Sequence, residues 1–220
     1  MKKLSVLFLA VLLSIVISCG AGKKEVVVIS LVPMTDTDAK ATKNGMTVEV
    51  TAINKTNAAM YPMLGCTFEA MVKSILGEVK QKVNEPNVLA GTSFALKVTN
   101  NTGHIVKMSG SDITLSASGV DKNRMSKEEL KQLWAAHWNP VPAEVLVTID
   151  AIPFWDENAK ILPGRTSDFF VTFNAELQQG VGQATMAVFD LVTNTDNAGN
   201  PTERTNFDFN FKEVASTIVK

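Results

Sequence analysis

Cysteine is almost missing from this chain: 220 residues hold only Cys19 and Cys66. Histidine is equally scarce, and His104 and His137 alone could act as imidazole bases or ligands. Neither lies at ligand spacing from the other or from a cysteine, so a zinc site would have to be assembled from distant segments. A surplus of one charge is also lacking. Lysine and arginine number 21 and aspartate and glutamate 22, a formal −1. No basic stripe stands out, so nucleic-acid binding has no electrostatic footprint. There is no Gly-x-Ser-x-Gly elbow, phosphate loop or dinucleotide fingerprint. Gly180-Val181-Gly182 lacks the third glycine and precedes an expected strand rather than a helix. Internal repeats and low-complexity tracts are absent as well. The one long apolar run, Leu4 to Ile17, is short for a membrane span and carries cations on one side only.

What is present begins at that run. Lys2 and Lys3, an apolar stretch and a small residue before Cys19 describe a secretory signal. Val16-Ile17-Ser18-Cys19 resembles the lipobox of bacterial lipoproteins. The resemblance implies a signal peptide over 1–18 and a cysteine thiol that is acylated and becomes the mature N-terminus. The alternative is an ordinary signal peptide with an incidental cysteine. Cleavage would leave 202 of 220 residues, enough for a sizeable core. It would also remove two lysines, leaving 19 basic against 22 acidic residues, a net −3. Two or more acyl chains suffice for stable anchoring, whereas one is marginal. Cys66 would then be the only thiol, with no partner for an intramolecular disulfide. Its apolar neighbourhood suits a small buried residue; a reactive thiol or an intermolecular bridge is the alternative.

After Cys19, residues 19–45 read as an acylated N-terminus, a glycine-rich tether and a leading segment. Val26 to Ile29 there is a candidate strand and Pro33 to Gly45 a polar loop. From Met46 onward, segments alternate with period two. Met46, Val48 and Val50 form one apolar face; so do Phe94, Leu96 and Val98, and Ile113, Leu115 and Ala117. Phe169, Val171 and Phe173 repeat the pattern, and Phe207, Phe209 and Phe211 show it most clearly. One apolar and one wet face marks antiparallel strands on a core. Ala184 to Val192 is apolar on both faces except Asp190, as a central strand would be. Pro163-Gly164 suits the middle of a type II turn, where glycine enters positive φ cheaply. Two segments instead repeat at three and four. One runs near 68–83 and stops before Pro86. The other, near 126–138, opens with the capping box Ser126-Lys127-Glu128-Glu129 and stops before Pro140. Residues 142–154 fit either strand or helix.

Phe94 to His104 followed by Ile113 to Leu115 resembles the first hairpin of immunoglobulin-like domains in bacterial cell-envelope proteins. Ile161 to Thr166 leading into Phe169 to Phe173 resembles their Leu-Pro-Gly turn before a middle strand. These domains are similar to LEA14-like sandwiches. The resemblance spans about 94–214, with 121–153 as a helical insertion. The expected fold is mainly β, an immunoglobulin-like antiparallel β-sandwich over 46–220 with two helical additions. Such domains serve as binding or accessory modules and bring no catalytic residues with them.

Site candidates are few. Trp134 and Trp138 sit one helical turn apart, with Trp155 close by in sequence. The helix's apolar stripe would dock on a sheet face; any exposed part would offer an aromatic patch to a protein or glycan partner. His137 on the same stripe reads as a packed residue and His104 as a solvated turn residue. Asn194, Asp196 and Asn200 carry oxygens as calcium loops do, but without the downstream bidentate glutamate. An ordinary hairpin loop competes with a weak calcium site there. Asp36, Asp38 and Asp121 read as solvated loop residues. No cofactor and no nucleic-acid partner is expected. The expected function is a lipid-anchored, non-catalytic envelope module, with the outer membrane favoured over the inner. An assembly subunit of an envelope complex, or an envelope hydrolase, is the alternative.

Overall fold

The computed structural model describes residues 25–53, 92–117, 119–137, 150, 152–174, 182–198 and 200–219. Among them the chain forms two antiparallel sheets. One contains β2 (Lys40–Lys43), β3 (Met46–Ile53), β4 (Thr92–Asn100) and β9 (Thr166–Phe173), in that order. The other contains β1 (Glu25–Pro33), β11 (Pro201–Val219) and β10 (Gln183–Thr195), followed by β5 (Val106–Lys107) and β8 (Lys160–Ile161). In this second sheet β6 (Asp112–Ala117) also pairs with β10, and β7 (Val120–Asn123) pairs with β6. The body is Ile29–Ala215; residues 25–28 and 216–219 fall in a second, smaller unit.

The core lies between the sheets and takes the alternating faces read from the sequence. Val48, Leu96, Val98 and Phe173 come from the four-stranded sheet, and Ile113, Met186, Phe207, Phe209 and Phe211 from the other, all in one buried cluster. Phe94 joins the two. Its ring lies 6.0 Å from Phe173, edge to face, and 5.3 Å from Phe211 across the core. β10 is central, paired with β11 on one side and with β5 and β6 on the other. Its inward face is buried at Ala184, Met186 and Val188, and its other face is half-buried at Thr185, Ala187 and Phe189. Asp190 departs from that pattern at a bulge, with φ +59, its N–H held by Asn206 Oδ1 at 2.8 Å. Leu162-Pro163-Gly164-Arg165 closes as expected: Gly164 has φ +71 and the Arg165 N–H reaches the Leu162 carbonyl at 3.0 Å.

Three expectations change. Residues 29–45 belong to the body rather than to a leading segment, and Pro33 to Gly45 contains β2 as well as a short 3-10 turn, Asp36–Asp38. Phe94 to His104 and Ile113 to Leu115 are not a hairpin. β4 pairs with β3 and β9, and β6 lies in the other sheet. The stretch from Asp121 opens with β7, turned from β6 at Gly119 (φ +76), rather than with helix. Among the described residues there is one α-helix, α1 (Lys127–His137). The second expected helix, near 68–83, lies outside the described residues, as do Cys19 and Cys66.

Polar side chains hold the corners where the chain changes sheet. Asn100, fully buried, ends β4. Its amide donates to the carbonyls of His104 (2.7 Å) and Ile161 (2.8 Å) and its oxygen accepts from Thr102 N–H (2.9 Å) and hydroxyl (2.7 Å). Asp38 holds the corner between β1 and β2. It is buried rather than solvated, because Asn210 of β11 donates to it from its N–H (2.8 Å) and its amide (3.1 Å), and Thr35 donates from the other side. The Thr35 hydroxyl, reinforced by the Asn210 donors against the opposing effect of burial, holds this carboxyl below the ordinary aspartate range. A carboxylate depressed in the folded state stabilises above its unfolded pKa of about 3.9 and loses that contribution as pH falls through the folded value. Asp38→Asn should therefore cost about 1–3 kcal/mol at pH 7. Its melting temperature should also fall less steeply than wild type between pH 5 and 3, as thermal denaturation across that range would check.

Candidate functional site

α1 begins with the reciprocal cap expected of its sequence. The Ser126 N–H donates to Glu129 Oε2 at 2.6 Å, and the Glu129 N–H donates to Ser126 Oγ at 3.1 Å. The Ser126 N–H, then its hydroxyl, holds the Glu129 carboxyl below the usual range. Leu130 is the buried anchor of the first turn. Lys127 and Lys131 both reach back to Asp150. Lys131 Nζ lies 2.6 Å from Asp150 Oδ1, and that ammonium lowers the Asp150 pKa.

The segments flanking α1 close the free edge of β9. The Met125 N–H donates to the Thr172 carbonyl at 2.8 Å. The Phe170 N–H reaches the Pro153 carbonyl (2.8 Å) and the Trp155 N–H the Phe170 carbonyl (3.1 Å). Covering an edge in this way removes a template for unwanted strand pairing. Phe169 and Phe170 explain why the cover sits here. Adjacent strand residues face opposite ways, so one ring enters the core and the other needs shelter outside it. Trp155 packs on Phe169 at 5.1 Å and Phe154 on Phe170 at 5.4 Å, edge to face. Lys127 Nζ stands 5.6 Å from the centre of the Phe154 ring.

A shallow depression of about 520 Å³ opens where residues 124–128, 152–158 and 170–171 converge. Arg124 and Lys127 line it and are engaged by Asp112 (3.0 Å) and Asp150. Glu128, Asp156 and Glu157 leave their carboxylates exposed around it, Asp156 receiving Asn158 N–H at 2.8 Å. The depression therefore combines aromatic edges with a negative rim. That mixture suits non-covalent contact with a polar or cationic surface.

Of the three tryptophans, only Trp155 has a described side chain. Trp155 lines this depression but is 4% exposed and belongs to the core, its indole N–H without a hydrogen-bond partner. Trp134 is on α1, but neither its side chain nor that of His137 is described; Trp138 lies outside the described residues. His104 is exposed beside the Asn100 corner. At the β10–β11 turn, Asp196 Oδ1 accepts the N–H groups of Ala198 (2.9 Å) and Asn200 (2.7 Å), and Oδ2 accepts the Asn200 amide at 2.9 Å. Asn194 Oδ1 accepts the Thr195 N–H at 2.9 Å. These oxygens close the hairpin loop on itself. Among the described residues no three acidic, histidine or cysteine side chains group as metal ligands would. The sequence did not mark Arg124, Lys127 or Phe154, although the Phe169-Phe170 doublet was a signal that something must cover the outer face. No family model, curated protein or solved structure matches the chain.

Proposed function

We propose that this protein is a lipid-anchored cell-envelope lipoprotein whose body is a non-catalytic binding or accessory module with an immunoglobulin-like fold. The observation that carries the binding half is the depression at the α1 N-terminus, framed by Phe154, Trp155 and the free carboxylates of Glu128 and Glu157. It is the surface offered to a protein or glycan partner. Connectivity supports the fold type. β4 pairs with β9 in one sheet, while β6, β10 and β11 are neighbours in the other, with β10 and β11 joined as a hairpin. The chain crosses from β4 to the second sheet, stays there through β8 and returns at β9. Strands B and E against C, F and G are connected in the same manner in immunoglobulin domains.

The anchor rests on Val16-Ile17-Ser18-Cys19 behind its short apolar run. Acyl chains such as palmitate on Cys19 would hold the module at the membrane, with the outer membrane favoured. Cys19→Ser should shift the protein from the membrane to the soluble fraction and abolish labelling by radioactive palmitate. Full membrane retention of the unlabelled variant would overturn the reading.

A further inference from the structure

Two rows of side chains cross the outer face of the four-stranded sheet without a break. Thr42, Thr47, Thr99 and Thr166 stand opposite one another in register, with hydroxyl contacts of 2.9 Å joining Thr42 to Thr47 and Thr99 to Thr166. Two residues along each strand, the next row reads Lys40, Glu49, Lys97, Asp168. Charge alternates strictly from one edge of the sheet to the other. Within the row the Lys40–Glu49 ion pair closes at 2.9 Å, its side chains 57% and 40% exposed, while Lys97 and Asp168 are both open to solvent. The row beyond, at Phe170, is already sheltered by Phe154.

A row that reads plus, minus, plus, minus is the complement of its own reversal. We propose that this face is where two copies of the chain meet, related by a twofold axis parallel to the strands and midway between β3 and β4. That axis places Lys40 of one copy opposite Asp168 of the other and Glu49 opposite Lys97, twice over, with the exposed Thr42 opposite Thr166 beside them. Such an isologous pairing is the commonest form of self-association. An in-plane axis perpendicular to the strands and running along this row sets Lys40 on Lys40 and Glu49 on Glu49, which like-charge repulsion rejects; moved off the row, it leaves the charges without partners. The favoured axis leaves the strands of both copies pointing the same way, so two copies tethered at the same chain end can share one membrane surface. Only the charged row and the ends of the threonine row are open, since Thr47 is buried beneath the Asn101 amide (3.1 Å). This falls short of the roughly 800 Å² per partner of a standard interface, so the dimer is weak and depends on high local concentration.

Within one copy, Lys40 and Asp168 stand three strand spacings apart, about 14 Å. A zero-length carbodiimide link between them can therefore form only between copies. The full-length protein, treated in membranes and again in detergent at high concentration, should yield a dimer band containing a Lys40–Asp168 linked peptide. Lys97→Glu and Glu49→Lys, each alone, should reduce that band about tenfold, because each puts like charges at two contacts. Mixing the two variants should restore it as a heterodimer, which misfolded chains could not do. Absence of the Lys40–Asp168 link in both samples, an undiminished band in either single variant, or no rescue on mixing would overturn the proposal. The detergent sample reads the pairing independently of the lipid on Cys19, so failure of the anchor and failure of the dimer are separate results.

Discussion

Asn100→Ala is expected to lower stability by about 3–5 kcal/mol, a large loss for a single polar side chain. The size follows from what the amide holds. Its two N–H groups serve the carbonyls of His104 and Ile161, and its oxygen takes both donors of Thr102, so all its bonding capacity is spent inside the protein. Alanine strands the buried Ile161 carbonyl and takes this partner from the part-buried His104 carbonyl and Thr102 donors, and each group left buried without a partner costs about 1–3 kcal/mol. Asn100→Asp separates hydrogen bonding from shape. It keeps the volume and the Thr102 contacts but turns two donors into acceptors aimed at carbonyl oxygens. The new carboxyl, buried and facing carbonyls, is disfavoured in its charged form. Its folded pKa is therefore raised, so the variant should be at its worst near neutral pH and recover as pH falls toward 4. Urea denaturation of both variants, with the slope unchanged, measures the effect. Equal midpoints for wild type and Asn100→Ala would show that the corner is held by other groups.

The sequence displayed which face of each strand turns inward, because burial alone imposes a period of two. Phe207, Phe209 and Phe211, and the two-sided apolar run of β10, were legible for that reason. So was the α1 cap, since Ser126 and Glu129 lie three residues apart and need nothing distant. Which sheet a strand joins was not legible. β4 and β6 look like neighbours along the chain, yet Asn100 turns the chain out of one sheet and into the other through a partner at Ile161. Asp38 shows the same limit. Its surroundings in sequence are those of a solvated loop, and the donor that buries it, Asn210, is 172 residues away. Of the candidate site, Trp155 was found by its type, and its place in the core came from Phe169. The charged row on the outer face was present in the sequence only as scattered lysines and carboxylates, meaningful once register aligned them.

Phe94→Ala should cost about 3–5 kcal/mol, the range for emptying a fully buried aromatic position. Phe94 is completely buried and touches rings from both sheets, Phe173 on β9 and Phe211 on β11. Removing it takes away burial, two ring contacts and the side chain that spans the core at once. Phe94→Leu retains most of the burial and should cost about 1–2 kcal/mol, so the difference reports aromatic shape rather than hydrophobicity. A double-mutant cycle with Phe211→Leu should then give a coupling of about 0.5–1.5 kcal/mol, the contribution of the ring pair across the sheets. Phe154 supplies the contrast. It is half-buried over the outer face, so Phe154→Ala should cost clearly less than Phe94→Ala while altering the rim of the depression. Should the two alanine variants melt together, the body would not be organised around a single core between its sheets. The cover at the β9 edge would then be as much a part of the folding unit as Phe94 itself.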